Sequence, residues 1–288
     1  MLGVFAAFFA AGIIAGGETL AHRYPAPSGS WAVFVPAGVT ELASAALAVA
    51  ITVLLSARRG ITPRLLGLGL PRKAGGGVAA WPAVRMGVWA LAALTAGSLI
   101  TGLLATGKLG QPARQDYGYL LYTTAASIAA GVVEETVVLA FVVTTLRQAG
   151  RPLAEIVIVA VLLRCSYHDY YGPGVVGIAV WAATFVWLFL RTGSVIPLIV
   201  VHFLWDATIF WSQHWHGLAA VRGLAALLLL IAAVASWLAE LYWRHGGQPP
   251  AGGPPGSAFT AWPYGPSDGG LHRPVTPDHD SGFDQGGS

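Results

Sequence analysis

Charged residues are scarce in this sequence. Of its 288 residues only 10% are Asp, Glu, Lys or Arg, and 55% are hydrophobic. A soluble domain usually carries about 25% charged residues, which it needs to cover its surface. Several apolar runs also reach the roughly 18 residues that mark a membrane-spanning helix. The composition therefore predicts an integral membrane protein that lies in a lipid bilayer.

Other absences exclude further classes. Cys165 is the single cysteine, so the chain has no intramolecular disulfide and no cysteine-based metal cluster. The basic residues form no continuous face that could follow a phosphate backbone, which argues against nucleic acid as a partner. Neither a Walker loop nor a GxGxxG fingerprint is present. Residues 2–16 lack the positive n-region of a cleaved export signal, and we predict a short first span there.

Hydropathy predicts an all-α fold, a polytopic transmembrane helical bundle of about eight spans. The predicted spans lie near residues 2–17, 31–56, 83–106, 118–146, 153–169, 174–190, 194–214 and 219–243. These runs lack the alternation of a barrel strand. We assign residues 1–245 to the bundle, with its functional core at about 83–215. Residues 246–288 are rich in Gly and Pro, which predicts a disordered tail.

The distribution of Lys and Arg predicts the orientation, because these residues collect in cytoplasmic loops. One side of the bundle receives Arg58, Arg59, Arg64, Arg72, Lys73, Arg147, Arg151, Arg191 and Arg244. The other side receives Arg23, Lys108, Arg114 and Arg222. We therefore expect a multi-pass protein of the bacterial plasma membrane, with both termini and the tail in the cytoplasm.

Ionisable residues inside the spans are the strongest functional signal, because each costs at least about 2.5 kcal/mol to insert. The fourth predicted span carries Glu134 and Glu135, the fifth ends with Arg164 and His168, and the seventh carries His202 and Asp206. At 1.5 Å per residue, Glu134 lies about 20 Å from Arg147 and His202 about 17 Å from Arg191. These similar depths predict one shared intramembrane pocket.

The pocket would contain what the activation of water requires. A carboxylate can act as general base, imidazoles can bind a metal or orient water, and other donors can stabilise an oxyanion. His202 and Asp206 are four residues apart and share one helical face. Glu41, in the second span, is a weaker candidate, since an interhelical hydrogen bond or a protonated carboxyl accounts for it.

Three short motifs on successive predicted helices resemble the CPBP family. This family comprises the CAAX-protease and bacteriocin-processing (Abi) membrane proteases, including the Rce1-type CAAX endopeptidases. Its pattern is EExxxR, then FxxxH, then HxxxN or HxxxD. The corresponding segments are EETVVL at 134–139, RCSYH at 164–168 and HFLWD at 202–206. The resemblance covers roughly residues 83–215.

The resemblance implies an intramembrane hydrolase, a metalloprotease-like endopeptidase acting in CAAX-box protein processing, with a peptide or membrane-protein substrate. It implies that Glu134 and His168 activate the attacking water, with Glu135 in the same catalytic motif. His202 and Asp206 would stabilise the oxyanion or share in metal binding. A divalent metal such as zinc, held by His168, His202 and Glu134, and a metal-free glutamate mechanism both remain open. No HExxH motif is present.

The sequence departs from the family pattern at two positions. Leu139 stands where the first motif has Arg, and Arg164 stands where the second motif has Phe. Our hypothesis is that Arg164 supplies the missing guanidinium from the neighbouring helix and neutralises Glu135. The alternative is an Arg that extends its head group toward the membrane surface.

Two other functions fit the buried ionisable residues. A proton- or ion-coupled transporter also uses Glu, His and Asp relays, although the sequence shows neither an inverted repeat nor paired broken helices. A non-catalytic membrane scaffold would use the same residues for stability alone. The sequence does not identify the substrate or the oligomeric state.

Overall fold

The computed structural model describes Phe9 and residues 31–70, 80–105 and 117–245, and every regular element in these ranges is helical. The prediction of an all-α fold is confirmed. Apart from Phe9, the predicted first span at 2–17 lies outside the described residues, and so does the predicted tail at 246–288. Long apolar segments become helices in lipid because a helix satisfies its own backbone hydrogen bonds.

Seven helices follow one another along the described chain. They are α1 (Trp31–Ala57), α2 (Ala80–Leu104), α3 (Tyr117–Gln148), α4 (Leu153–Ser166), α5 (Val175–Thr192), α6 (Ile196–His214) and α7 (His216–His245). The middle of α3, Glu135–Val143, is π-helical. A 3₁₀ turn, Asp169–Gly174, joins α4 to α5. Gly193, with φ +64°, ends α5 in the left-handed conformation that favours glycine.

The prediction of about eight spans is not confirmed. Within the described residues, five segments are long and apolar enough to cross a membrane, and they include most of α1, α2, α3, α5 and α7. The apolar stretch Ile196–Ser212 of α6 is shorter. Helix α4 has only 14 residues and rises about 21 Å, less than the roughly 30 Å of the hydrocarbon core. The predicted fifth span at 153–169 is therefore a helix that is too short to cross the hydrocarbon core by itself.

One end of the bundle carries Arg58, Arg59, Arg64, Arg147, Arg151 and Arg191, and we call it the basic end. Its parts are joined by direct contacts. The backbone N–H of Val195 donates to the Gly67 carbonyl at 3.0 Å. The Thr192 hydroxyl lies 3.2 Å from the sulfur of Met86. These contacts place the start of α2, the end of α5 and the loop after α1 together.

The opposite end carries Tyr117, Trp211 and His214, and we call it the aromatic end. The indole N–H of Trp211 donates to the Thr124 hydroxyl at 2.9 Å, which joins α6 to α3. The rings of Tyr117 and His214 lie 5.2 Å apart. Helices α3 and α6 therefore run in opposite directions with their ends at corresponding levels.

Small residues allow close helix packing beside the site. A Cβ at Gly131 of α3 would lie 3.0 Å from the Ile199 carbonyl oxygen of α6. Gly97 of α2 faces Gly177 of α5, and a Cβ at either would collide with the backbone of the other. Such close backbone approach is typical of helix pairs in membranes. It brings α2, α3, α5 and α6 around one central space.

Candidate active site

Arg164 joins the two adjacent glutamates. From α4 its Nη1 donates to Oε2 of Glu134 and its Nη2 donates to Oε2 of Glu135, both at 2.7 Å. The side chains of Arg164 and Glu135 are only 1% and 0% exposed. Buried carboxylates need such a partner because burial of an unpaired charge is costly. The contact predicted between Arg164 and Glu135 is present, together with a second contact to Glu134.

A polar chain continues from Glu135 to α6. Oε1 of Glu135 accepts a hydrogen bond from Nδ1 of His202 at 2.7 Å. On the far side of the ring, Nε2 of His202 lies 3.5 Å from Oδ2 of Asp206. His202 and Asp206 therefore lie on one face of α6, as their spacing predicted. The contact with Glu135 fixes the orientation of the His202 ring, so that the Nε2 edge of the ring faces Asp206.

The two glutamates occupy different environments although they are adjacent in sequence. Glu134 ends the α-helical part of α3, and Glu135 begins its π-helical part. The Glu134 side chain is 12% exposed and lines an internal cavity, whereas Glu135 is fully buried. π-Helical turns are rare and occur frequently at functional sites. Of the pair, Glu134 is therefore the carboxylate available to a substrate or a water molecule.

His168 lies just beyond the C-terminal end of α4. Its Nδ1 lies 2.9 Å from the backbone carbonyl oxygen of Arg164. Since a carbonyl can only accept, Nδ1 carries the hydrogen of this bond, and in the neutral ring Nε2 is left as an acceptor. His168 lines the same cavity as Glu134. The predicted pairing of these two residues at one pocket is consistent with this geometry.

The cavity has a volume of about 300 Å³. Its carboxylates and imidazoles come from Glu134, His168, His202 and Asp206, and Ser98 and Ser127 add hydroxyl groups. Its apolar lining is largely aromatic and aliphatic: Leu94, Ile178, Trp181, Trp205, Ile209 and Phe210. Tyr170 and Tyr171 of the 3₁₀ turn complete one wall. A few convergent polar groups in an apolar cavity are typical of a ligand-binding site.

Two further residues of the site were not predicted from the sequence. The Tyr167 hydroxyl donates to Oε2 of Glu134 at 3.0 Å. The Trp181 ring lies under the guanidinium of Arg164, with Cζ 4.7 Å from the centroid, and its centroid is 5.4 Å from that of His202. Tyr167 directly precedes His168, and this adjacency was the available signal. Trp181 lies in an apolar run and gave none.

Phe9 also contacts the site. Its ring stacks on Tyr167 at 4.2 Å, and both side chains belong to a small buried cluster with Ala48 and Val137. An N-terminal residue therefore covers one face of the Tyr167 ring.

Leu139 and Glu41 lie away from the polar cluster. Leu139 is 1% exposed and packs in the hydrophobic core, so no cation comes from that position. Glu41 is half-buried on α1 and is not among the residues that line the cavity. The weaker status given to Glu41 from the sequence agrees with this position.

The predicted metal ligands His168, His202 and Glu134 line one cavity. Among the residues that the structure describes, no three His, Cys, Asp or Glu side chains are grouped to hold a metal ion. Nδ1 of His202 is engaged by Glu135, and Oε2 of Glu134 by Arg164 and Tyr167. A contact of Nδ1 with a carboxylate is compatible with metal binding through Nε2 of the same ring, so the zinc assignment stays a prediction.

The fold and site define a class of protein: an integral, multi-pass, all-helical membrane protein with a buried ionic cluster beside a cavity. Residues 116–208 match the family model described as type II CAAX prenyl endopeptidase Rce1-like. The match confirms the resemblance over this segment, which contains all six predicted site residues. No curated protein and no solved structure gives a significant match. At the level of the family, the match supports a CAAX-type intramembrane endopeptidase.

Proposed function

We propose that this protein is an intramembrane endopeptidase that hydrolyses a peptide bond with a water molecule activated by Glu134 and His168. One observation carries the proposal. Glu134 and His168 line the same cavity, while Glu135 is sealed from it and holds Arg164 and His202. The pair of glutamates thus supplies one reactive carboxylate and one positioning carboxylate.

The water would lie between Glu134 and His168. Nε2 of His168 accepts a hydrogen bond from the water, because Nδ1 already donates to the Arg164 carbonyl. Glu134 accepts the other proton as the water oxygen attacks the carbonyl carbon of the peptide. The same proton then passes from Glu134 to the leaving nitrogen as the C–N bond breaks.

His202 would stabilise the negative oxygen of the tetrahedral intermediate. In its doubly protonated form it donates from Nδ1 to Glu135 and keeps Nε2–H at the edge of the cavity. Asp206, 3.5 Å from Nε2, orients the ring and shares this hydrogen before the oxyanion forms. A prearranged donor of this kind contributes about 100- to 1000-fold in other hydrolases.

The apolar part of the cavity indicates the kind of substrate. Trp205, Ile209 and Phe210 form a wall next to the polar groups, so the side chain beside the cleaved bond should be large and apolar. The substrate would be a peptide or a membrane-protein segment within the bilayer.

A divalent metal is not needed for these steps. If zinc were bound by His168, His202 and Glu134, it would polarise the peptide carbonyl or lower the pKa of a bound water. Binding through Nε2 of His202 would leave its Nδ1 contact with Glu135 in place. The side chains can carry out the steps above by themselves, so we assign the chemistry to them and expect activity to survive a chelator.

Proteolysis by the purified protein tests the function. A peptide library is incubated with the wild type, with Glu134→Gln, and with Glu41→Gln as a matched control outside the cavity. We expect Glu134→Gln to lose about 100-fold or more of kcat, the usual contribution of a general base, and Glu41→Gln to retain activity. The thermal midpoint of each variant shows whether it is folded.

The alternatives predict different results. A folded wild type that cleaves no peptide would favour the scaffold. Cleavage that is equal in the wild type and Glu134→Gln would refute the assigned general base. Loss of activity with chelator and its return with zinc would restore the metal mechanism.

A further inference from the structure

Tyr167 contacts both members of the proposed catalytic pair. Its hydroxyl donates to Oε2 of Glu134 at 3.0 Å, and its ring centroid lies 4.6 Å from that of His168. Arg164 donates to the same Oε2, so two donors restrict the orientation of the Glu134 carboxylate. In the proposed mechanism, Oε1 of Glu134 is then the oxygen that accepts the proton of the attacking water.

Helix α4 alone does not fix the position of the Tyr167 ring. The helix ends at Ser166, and Tyr167 is the first residue beyond it, with φ −104° and ψ 7°. Helix ends are held by fewer backbone hydrogen bonds than helix interiors. The packing around the Tyr167 ring therefore decides where its hydroxyl points.

Phe9 supplies a large part of this packing. Its ring stacks on that of Tyr167, with the centroids 4.2 Å apart and the planes inclined by 15°. Both side chains are only 6% exposed. The other fully buried members of the cluster, Ala48 of α1 and Val137 of α3, are not aromatic. Without Phe9, Tyr167 would border a space into which its ring could turn, because cores relax only partly after a large side chain is removed.

We propose that Phe9 is a positioning residue, which acts through Tyr167 on the carboxylate of Glu134. This role rests on the proposed function, because it concerns the same water-activating group. Neither Phe9 nor Tyr167 is among the residues that line the cavity, so their replacement leaves the substrate-binding surface intact. Phe9 also lies outside residues 116–208, which match the family model. The active site therefore depends on a part of the chain that precedes the matched segment.

The kinetic constants of Phe9→Ala test the role, with the full chain and a peptide that the wild type cleaves. We expect kcat to fall about tenfold, since the hydrogen bond to a charged group is lost. KM should not change, because no cavity residue is altered. A structural defect alone would lower the thermal midpoint and leave kcat of the folded protein unchanged, and this result would overturn the inference.

Phe34→Ala is the matched control. Phe34 is 3% exposed on α1, and its ring lies 5.6 Å from that of Tyr119. The substitution thus removes a ring of the same size from another buried aromatic contact, away from the cavity lining. We expect a lower thermal midpoint with an unchanged kcat. An equal loss of kcat in Phe34→Ala and Phe9→Ala would show that the effect of Phe9 is not specific to the site.

The double variant Phe9→Ala/Tyr167→Phe tests whether Phe9 acts through the hydroxyl. Tyr167→Phe alone already removes the hydrogen bond to Glu134, so the double variant should have the same kcat as Tyr167→Phe. If Phe9→Ala lowered kcat by the same factor in both backgrounds, the two residues would act independently and the inference would be wrong. Phe9→Leu keeps an apolar side chain without the flat ring, and it replaces Phe9→Ala in each comparison if that variant does not fold.

Glu134→Gln in the same series separates this inference from the proposed function. Cleavage by the wild type that is lost in Glu134→Gln, together with a normal kcat in Phe9→Ala, would refute the role of Phe9 and retain the endopeptidase. A folded wild type without any cleavage that depends on Glu134 would refute the proposed function, and the positioning role with it.

Discussion

Arg164 joins the buried Glu135 to the cavity-lining Glu134, and its replacement by leucine is the sharpest test of the site. Arg164→Leu removes two 2.7 Å charge-assisted hydrogen bonds. It also removes the contact with the Trp181 ring. Glu135 would be left fully buried with only His202 as a partner.

The size of the effect follows from this geometry. Removal of one partner of a buried ion pair costs about 3–5 kcal/mol, because the other charge stays buried and unpaired. For a protein of this size each kcal/mol corresponds to roughly 2–4 °C. We therefore expect the thermal midpoint of Arg164→Leu in detergent to fall by about 6–20 °C. Arg64→Leu, at an exposed position of the basic end, is the control and should stay within about 0.5 kcal/mol of the wild type.

A double-mutant cycle attributes the loss to the ion pair. Glu135→Gln in the Arg164→Leu background removes the charge that lost its partner, so the second substitution should cost less than it does in the wild type. We expect a coupling free energy of about 0.5–3 kcal/mol, the usual range for residues in one network. A coupling near zero, or an Arg164→Leu protein as stable as the wild type, would contradict the assigned role of Arg164.

Two further substitutions test the surroundings of the site. Tyr167→Phe removes the hydrogen bond to Glu134. Since a hydrogen bond to a charged group contributes about 1.5 kcal/mol or more, we expect kcat/KM to fall about tenfold. An unchanged kcat/KM would show that this bond is dispensable. Gly177→Ala places a Cβ against the Gly97 carbonyl oxygen, so it should separate α2 from α5 and lower the thermal midpoint. Gly223→Ala, with open space around the added Cβ, is the control and should not lower the midpoint. Equal midpoints for the two variants would contradict the close packing.

Much of the fold could be predicted because a lipid bilayer leaves few choices for the backbone. Apolar runs became helices near the predicted boundaries, and the intramembrane charges came together as their similar depths suggested. Helix α4 ends at Ser166, near the predicted boundary at 169. Hydropathy is averaged over a window and does not detect the 3₁₀ turn that begins at Asp169.

The different roles of the two glutamates could not be predicted from spacing. Consecutive helical residues point about 100° apart, which shows that Glu134 and Glu135 differ but not which one is buried. The answer depends on the change to a π-helix at Glu135 and on the approach of His202 from α6. Both are tertiary features. Trp181 was missed for the same reason, since its contact with Arg164 exists only after α5 packs on α4.

The position of Arg164 explains how the two glutamates have a cationic partner with leucine at position 139. Arg164 reaches both carboxylates from α4, while Leu139 belongs to the apolar core. Glu135 shares its two oxygens with Arg164 and His202, whereas Glu134 shares Oε2 with Arg164 and Tyr167 and lines the cavity. In the proposed mechanism Glu134 therefore has the access that a general base needs, and its cation comes from the neighbouring helix.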